Sequence, residues 1–136
     1  MPHESEILKA LDAARSRLVE ATTFAEIMAV WDAVESLRRR AARAGLDICN
    51  RVMEVRLMAE RKGGEHLHCL YLHGGDRRNG NSVRPGLEAL GISKNQSARW
   101  QLESTVPPEL FARYVGNAAE QGRKLSSAGL LRLARG

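Results

Sequence analysis

The chain has 136 residues, 43% of them apolar and only 4% aromatic, and a formal net charge of +5. That length suffices for one buried core, and few aromatics with abundant Ala, Leu, Arg and Glu favour helices over strands. No apolar run of about 18 residues exists to span a membrane, and Met1-Pro-His-Glu-Ser-Glu6 lacks the basic segment and apolar run of a signal peptide.

In chain order, Ile7, Leu8, Leu11, Ala14 and Leu18 have helical spacing, which predicts a helix over residues 5–20. Thr22 and Thr23 interrupt it, and Thr23-Phe-Ala-Glu26 reads as a capping box opening a second helix. Ile27, Val30, Trp31, Val34 and Leu37 form its apolar stripe, and Gly45 is expected to end it. Arg38, Arg39, Arg40 and Arg43 near that end complement the helix dipole. A third helix is expected from Asp47 to about Leu72, with Ile48, Val52, Val55 and Met58 on one face. Gly63-Gly64 weakens its middle, since two glycines together cost roughly 2 kcal/mol of helix propensity. Cys49 and Cys69 both fall inside helical patterns and do not resemble a disulfide framework.

Gly74-Gly-Asp-Arg-Arg-Asn-Gly-Asn-Ser82 is almost free of apolar residues and rich in turn formers, the composition of a flexible linker or exposed loop. Leu87 and Leu90 then give a short helix an apolar edge, and Gly91 supplies the freedom needed where the chain leaves it. Ile92 is placed to plug the small core behind it. Ser93 starts another helix, with Gln96 three residues later completing an S-x-x-Q box. Ser97, Trp100 and Gln101 are expected to face inward, and Lys94, Asn95, Ala98 and Arg99 outward. Helix, tight turn and second helix with a polar, basic outer face form the layout of a helix-turn-helix, whose second helix enters the DNA major groove. Lys, Asn, Gln and Arg suit phosphates and purine edges. Val106-Pro-Pro-Glu109 opens the next helix, with Leu110, Tyr114 and Val115 inward, and Ser126-Ser127 cap a last one carrying Leu130, Leu131 and Leu133.

The charge divides unevenly. Residues 1–73 hold 11 Lys/Arg and 11 Asp/Glu, whereas residues 74–136 hold 10 Lys/Arg against 5 Asp/Glu, so the whole excess of +5 lies beside the expected helix-turn-helix. A polyanion-binding surface needs such cations to displace counterions.

Leu90-Gly-Ile-Ser-Lys-Asn-Gln-Ser-Ala-Arg-Trp100, Val106-Pro-Pro-Glu-Leu110 and Gly122-Arg-Lys-Leu-Ser-Ser-Ala-Gly-Leu-Leu131 together resemble the DNA-binding part of ParB-type partition proteins. With Glu54-Val-Arg-Leu-Met-Ala-Glu-Arg61 placed before them, they resemble more closely a helical region of phage and mobile-element proteins that is sometimes fused to adenine methyltransferases. The resemblance covers about residues 46–133. It implies sequence-specific DNA binding without catalysis: residues 1–73 do not resemble the ParB nucleotide-binding domain, and no methyltransferase motif is present.

Other chemistry has thin support. His66, Cys69 and His73 share a helix face and can offer three ligands to zinc, but no fourth ligand presents itself and no metal or cofactor is expected. No nucleophile elbow, phosphate-cradling glycine loop or paired-carboxylate spacing occurs, so no enzyme is expected.

The expected fold is all-α: an N-terminal long helical hairpin at 1–73 serving dimerisation, a flexible basic linker at 74–84, and a compact helix-turn-helix domain of four to five short helices at 85–136. The expected partner is double-stranded DNA, bound by a cytoplasmic homodimer acting as a regulator or DNA-organising factor of a phage, plasmid or integrated element, away from membranes. Ser93, Lys94, Asn95, Gln96 and Arg99 are the candidates for base and nearby phosphate contacts, and Arg84, Arg113, Arg123 and Lys124 for backbone contacts. The alternative is a non-catalytic helical protein-interaction module, which would show apolar anchors on the outer face of 94–101.

Overall fold

The computed structural model describes residues 2–73 and 86–136, with side chains over 4–70 and 86–136, and its only regular structure there is helical. In order these are α1 (Pro2–Glu20), α2 (Phe24–Arg40), α3 (Leu46–His73), α4 (Leu87–Leu90), α5 (Lys94–Glu103), α6 (Pro108–Gln121) and α7 (Ser127–Arg135), with a 3₁₀ turn at Ala41–Arg43. The all-α expectation holds. The linker expected at 74–84, with Arg77, Arg78 and Arg84, lies outside the described residues. No described helix is long and apolar enough to cross a membrane.

Local signals place the helix starts. At Thr23 the capping box is complete: its Oγ1 accepts from the Glu26 N–H at 3.2 Å, and Glu26 Oε1 accepts from the Thr23 N–H at 3.1 Å. Ser126 caps α7 by accepting from the Gly129 N–H at 3.0 Å. The second helix stops short of Gly45, because its last turn tightens into the 3₁₀ turn, where the Cys49 thiol donates to the Ala41 carbonyl at 3.1 Å.

The first core joins α1, α2 and one face of α3. Ile7, Leu11, Ala14 and Leu18 meet Ile27, Val30, Val34 and Leu37, and both rows close on Ile48, Val52, Val55 and Ala59. Lys62 of α3 ties the end of α1 by donating from Nζ to the Leu18 carbonyl at 2.6 Å, a cation on the negative end of a helix. Thus the stripes that read as a dimer surface in the sequence are covered within one chain.

A second face of α3 carries the C-terminal helices. Leu57 packs with Val106, Phe111 and Leu130, while Leu67 packs with Ile92 and Trp100. Residues 87–135 therefore share their core with α3, which buries apolar side chains on more than one face.

Gly63 and Gly64 do not break α3, which runs unbroken from Leu46 to His73. Their role is steric. A Cβ on Gly64 would lie 2.0 Å from the Trp100 carbonyl oxygen, and one on Gly63 would lie 2.9 Å from Trp100 Cε3. The pair forms a notch in which the α5 backbone rests. Propensity loses to packing here, as helix stability in proteins comes mostly from tertiary contact.

Gly64→Ala is expected to destabilise the protein by about 1–3 kcal/mol through overpacking against backbone, despite alanine's better propensity. Gly116→Ala on α6, where an added methyl meets nothing within 4 Å, should instead stabilise by about 0.5–1 kcal/mol. Urea denaturation of both variants checks this, and a stabilised Gly64→Ala would refute the notch.

Candidate nucleic-acid interface

The α4–α5 unit is built from local geometry. Gly91 adopts the left-handed conformation (φ 75°), its N–H donates to the Glu88 carbonyl at 3.1 Å, and the Ile92 N–H reaches back to the Leu87 carbonyl at 3.2 Å. This is a Schellman ending, which a side chain with a Cβ would strain. Two residues on, Ser93 Oγ accepts from the Gln96 N–H at 3.0 Å and caps α5.

The sides of α5 then separate by chemistry. Trp100 is 2% exposed and is flanked by Trp31 at 5.6 Å and Phe24 at 6.3 Å between ring centroids. Ser97 is buried and accepts from Gln101 Nε2 at 3.0 Å. Ser93, Lys94, Asn95, Ala98 and Arg99 are exposed, with Gln96 half-buried beside them.

Beneath α5 lies a buried charged cluster with no forewarning in the sequence reading. Glu103, the last residue of α5, is 1% exposed and faces Glu60 of α3, which is 2% exposed. Glu60 accepts from Trp31 Nε1 at 3.0 Å and from the Ser127 hydroxyl at 3.2 Å. Arg56 Nε lies 3.1 Å from Glu60 and 3.3 Å from Glu35, close enough for Coulomb attraction but not aligned for a hydrogen bond to either. Arg56 also lies over the Trp31 ring, 5.4 Å from its centroid. The cluster joins α2, α3, α5 and α7. Burial, with the Glu60 carboxylate alongside, pushes the Glu103 acid up to about 10. Glu103 thus keeps its proton beside the Glu60 carboxylate.

The motif Glu54-x-Arg56-x-x-Ala59-Glu60-Arg61, which carried part of the resemblance, is accounted for by such ties. Glu54 pairs with Arg15 at 3.4 Å, Arg56 and Glu60 sit in the cluster, and Arg61 stacks on Phe111 and donates to the Val106 carbonyl. The sole sequence trace of the cluster is the i,i+4 spacing of Arg56 and Glu60, which also suits an ordinary exposed pair.

The other candidate cations lie elsewhere. Arg113 is exposed on α6, and Arg123 and Lys124 are exposed in the turn after Gly122 (φ 63°). Asn50 holds that turn, donating to the Arg123 carbonyl at 2.8 Å and accepting from the Leu125 N–H at 2.9 Å. Ile92, just before α5, packs on Leu67. From Asn50 to Leu67, α3 rises about 25 Å at about 1.5 Å per residue. The structure therefore keeps Lys94, Asn95 and Arg99 together and places Arg123 and Lys124 well along α3 from them, while Arg84 lies outside the described residues.

His66 is half-buried beside an apolar hollow lined by Phe24, Leu67, Leu70 and Leu90, Cys69 is exposed, and the His73 side chain lies outside the described set. Among the described residues no group of three His, Cys, Asp or Glu side chains is arranged to hold a metal ion. At the end of α2, Arg38 pairs with Glu35 and Arg40 with Glu6.

The Glu103 proton links the seat of α5 to pH. An unfolded Glu103 titrates near 4.5, the folded one near 10. Its contribution to stability is therefore fully present below 4.5 and is lost as pH rises toward 10, because the unfolded chain releases a proton the folded chain keeps. Glu103→Gln mimics the neutral acid, so its stability should fall less with pH, by at most about 1.4 kcal/mol per pH unit. Urea melts at about pH 6 and about pH 9 check it, and a pH dependence identical to the parent's would refute the buried proton. Comparison of the chain with protein-family models, with curated proteins and with solved structures gives no match.

Proposed function

We propose that this chain is a non-catalytic, sequence-specific DNA-binding protein that reads the major groove with the exposed face of α5. The observation that carries the proposal is the division of α5. The large apolar side chain near its centre, Trp100, turns inward between Phe24 and Trp31, while Lys94, Asn95 and Arg99 stand in solvent. A helix fits the roughly 12 Å major groove, and those side chains match purine edges and phosphates. The outer face lacks the apolar anchors that a protein-docking surface would use.

The unit departs from a full helix-turn-helix at one point: α4 is a single turn of four residues. Bracing of α5 falls to α3 instead, through the Gly63-Gly64 notch and the Glu60–Glu103 contact. DNA binding is supported further by the location of the net charge in residues 74–136. A homodimer is not needed for it, and the stripes that motivated one are buried within the chain. Within this proposal the protein regulates or organises DNA in the cytoplasm, on a phage, plasmid or integrated element.

Titrating the purified protein with fragments of its own gene neighbourhood at several salt concentrations tests the proposal. A site-selective shift that weakens steeply with salt is expected, and Arg99→Ala should weaken the preferred site by about 1–3 kcal/mol with unchanged thermal stability. Weak, equal binding to every fragment, or an Arg99→Ala protein as tight as the parent, would overturn it, and the former would turn the search to protein partners.

A further inference from the structure

A second concavity, of about 350 Å³, opens where α6 turns into α7, remote from the outer face of α5. Tyr114, Asn117 and Gln121 line it from α6, Arg123 and Lys124 from the turn, and Arg132 from α7. Three cations thus share one hollow, and no carboxylate lines it. Among the described residues none of the three takes part in an ion pair. Like charges gathered this way repel one another, and an anion seated between them reverses the sign of that energy.

The hollow has a firm frame. The Arg123 N–H donates to the Ala118 carbonyl at 2.8 Å, Asn50 clamps the main chain on both sides of Lys124, and the Tyr114 hydroxyl accepts from the Ser126 N–H at 3.3 Å and donates to the Ser126 carbonyl at 3.2 Å. The cations therefore hang from a backbone that is already ordered, which lowers the entropic cost of gathering them round a ligand. Asn117 and Gln121, one helical turn apart, add neutral amide donors to the same wall. Several N–H donors and cations round a small hollow match the several acceptor oxygens of a phosphate group better than a lone carboxylate.

We propose that this hollow is a phosphate-binding site, in which Arg123, Lys124 and Arg132 neutralise the group and Asn117 and Gln121 donate to its oxygens. The site stands apart from the reading face of α5 and does not depend on it. A phosphate can arrive on a small phosphorylated molecule or as a DNA backbone phosphate, and the two sources separate by experiment.

Calorimetric titration of the full chain with inorganic phosphate and pyrophosphate forms one arm, and the salt dependence of duplex DNA binding forms the other. Lys124→Ala and Arg132→Ala are the test variants, with Arg99→Ala as a control outside the hollow and thermal melting as the check on folding. Saturable binding of phosphate or pyrophosphate, weakened about tenfold in either test variant and unchanged in Arg99→Ala, would establish a small-ligand site. A DNA salt slope lowered by about one in each test variant would identify the duplex backbone as the source. Absence of saturable phosphate binding together with an unchanged DNA slope would overturn the proposal, as would equal phosphate binding by parent and variants. Loss of DNA binding in Arg99→Ala alone bears only on the reading face.

Discussion

The seat of Trp100 on α3 is the contact on which the arrangement of the C-terminal helices depends. Burying an indole removes about 200 Å² from water, a gross gain of about 5 kcal/mol. Against that, two glycines in a helix cost roughly 2 kcal/mol. The exchange is favourable, and it has no substitute: any side chain at Gly64 would collide with the Trp100 carbonyl. Phe24 and Trp31 close the seat from the α2 side, so one indole joins α2, α3 and α5. What faces solvent on α5 follows from this. With Trp100 inward, the helical period carries Lys94, Asn95 and Arg99 outward.

The charged cluster beside the seat has a different energetic character. Taking Glu35, Arg56, Glu60 and Glu103 out of water is expensive, and buried ion pairs seldom repay that cost fully. Its geometry shows how the cost is contained. Glu60 receives two hydrogen bonds, Arg56 stands between two carboxylates, and Glu103 stays neutral. Such a cluster tolerates few alternatives: a slip of α5 along α3 would strand Glu103 or Glu60 without its partner. Apolar contact supplies most of the adhesion between α5 and α3, and the cluster selects one register.

Two cationic groups come out of this framework, one on the outer face of α5 and one in the turn before α7, at different levels along α3. The two groups hang from different elements, so each can be occupied alone. The proposed reading face and the proposed phosphate hollow are for this reason separable by single substitutions.

Much of the helical layout was legible in the sequence because its determinants are local. Thr23, Ser93 and Ser126 cap helices through bonds spanning three residues, and Gly91 ends α4 by its own φ. The rows Ile7–Leu18 and Ile27–Leu37 follow from a period of about 3.6 residues, so the all-α class and the inward turn of Ser97 and Trp100 were within reach. Long-range packing decided the rest. Gly63-Gly64 reads as a weakness until Trp100 lies on it, Glu103 carries no local mark until Glu60 faces it, and the stripes read as a dimer surface until α1, α2 and α3 cover one another. A cap or a periodic stripe is set by neighbours within a turn or two of helix. What a notch, a buried carboxyl or an apolar face means is set by which distant side chain fills the space beside it, and that is fixed only when the helices pack.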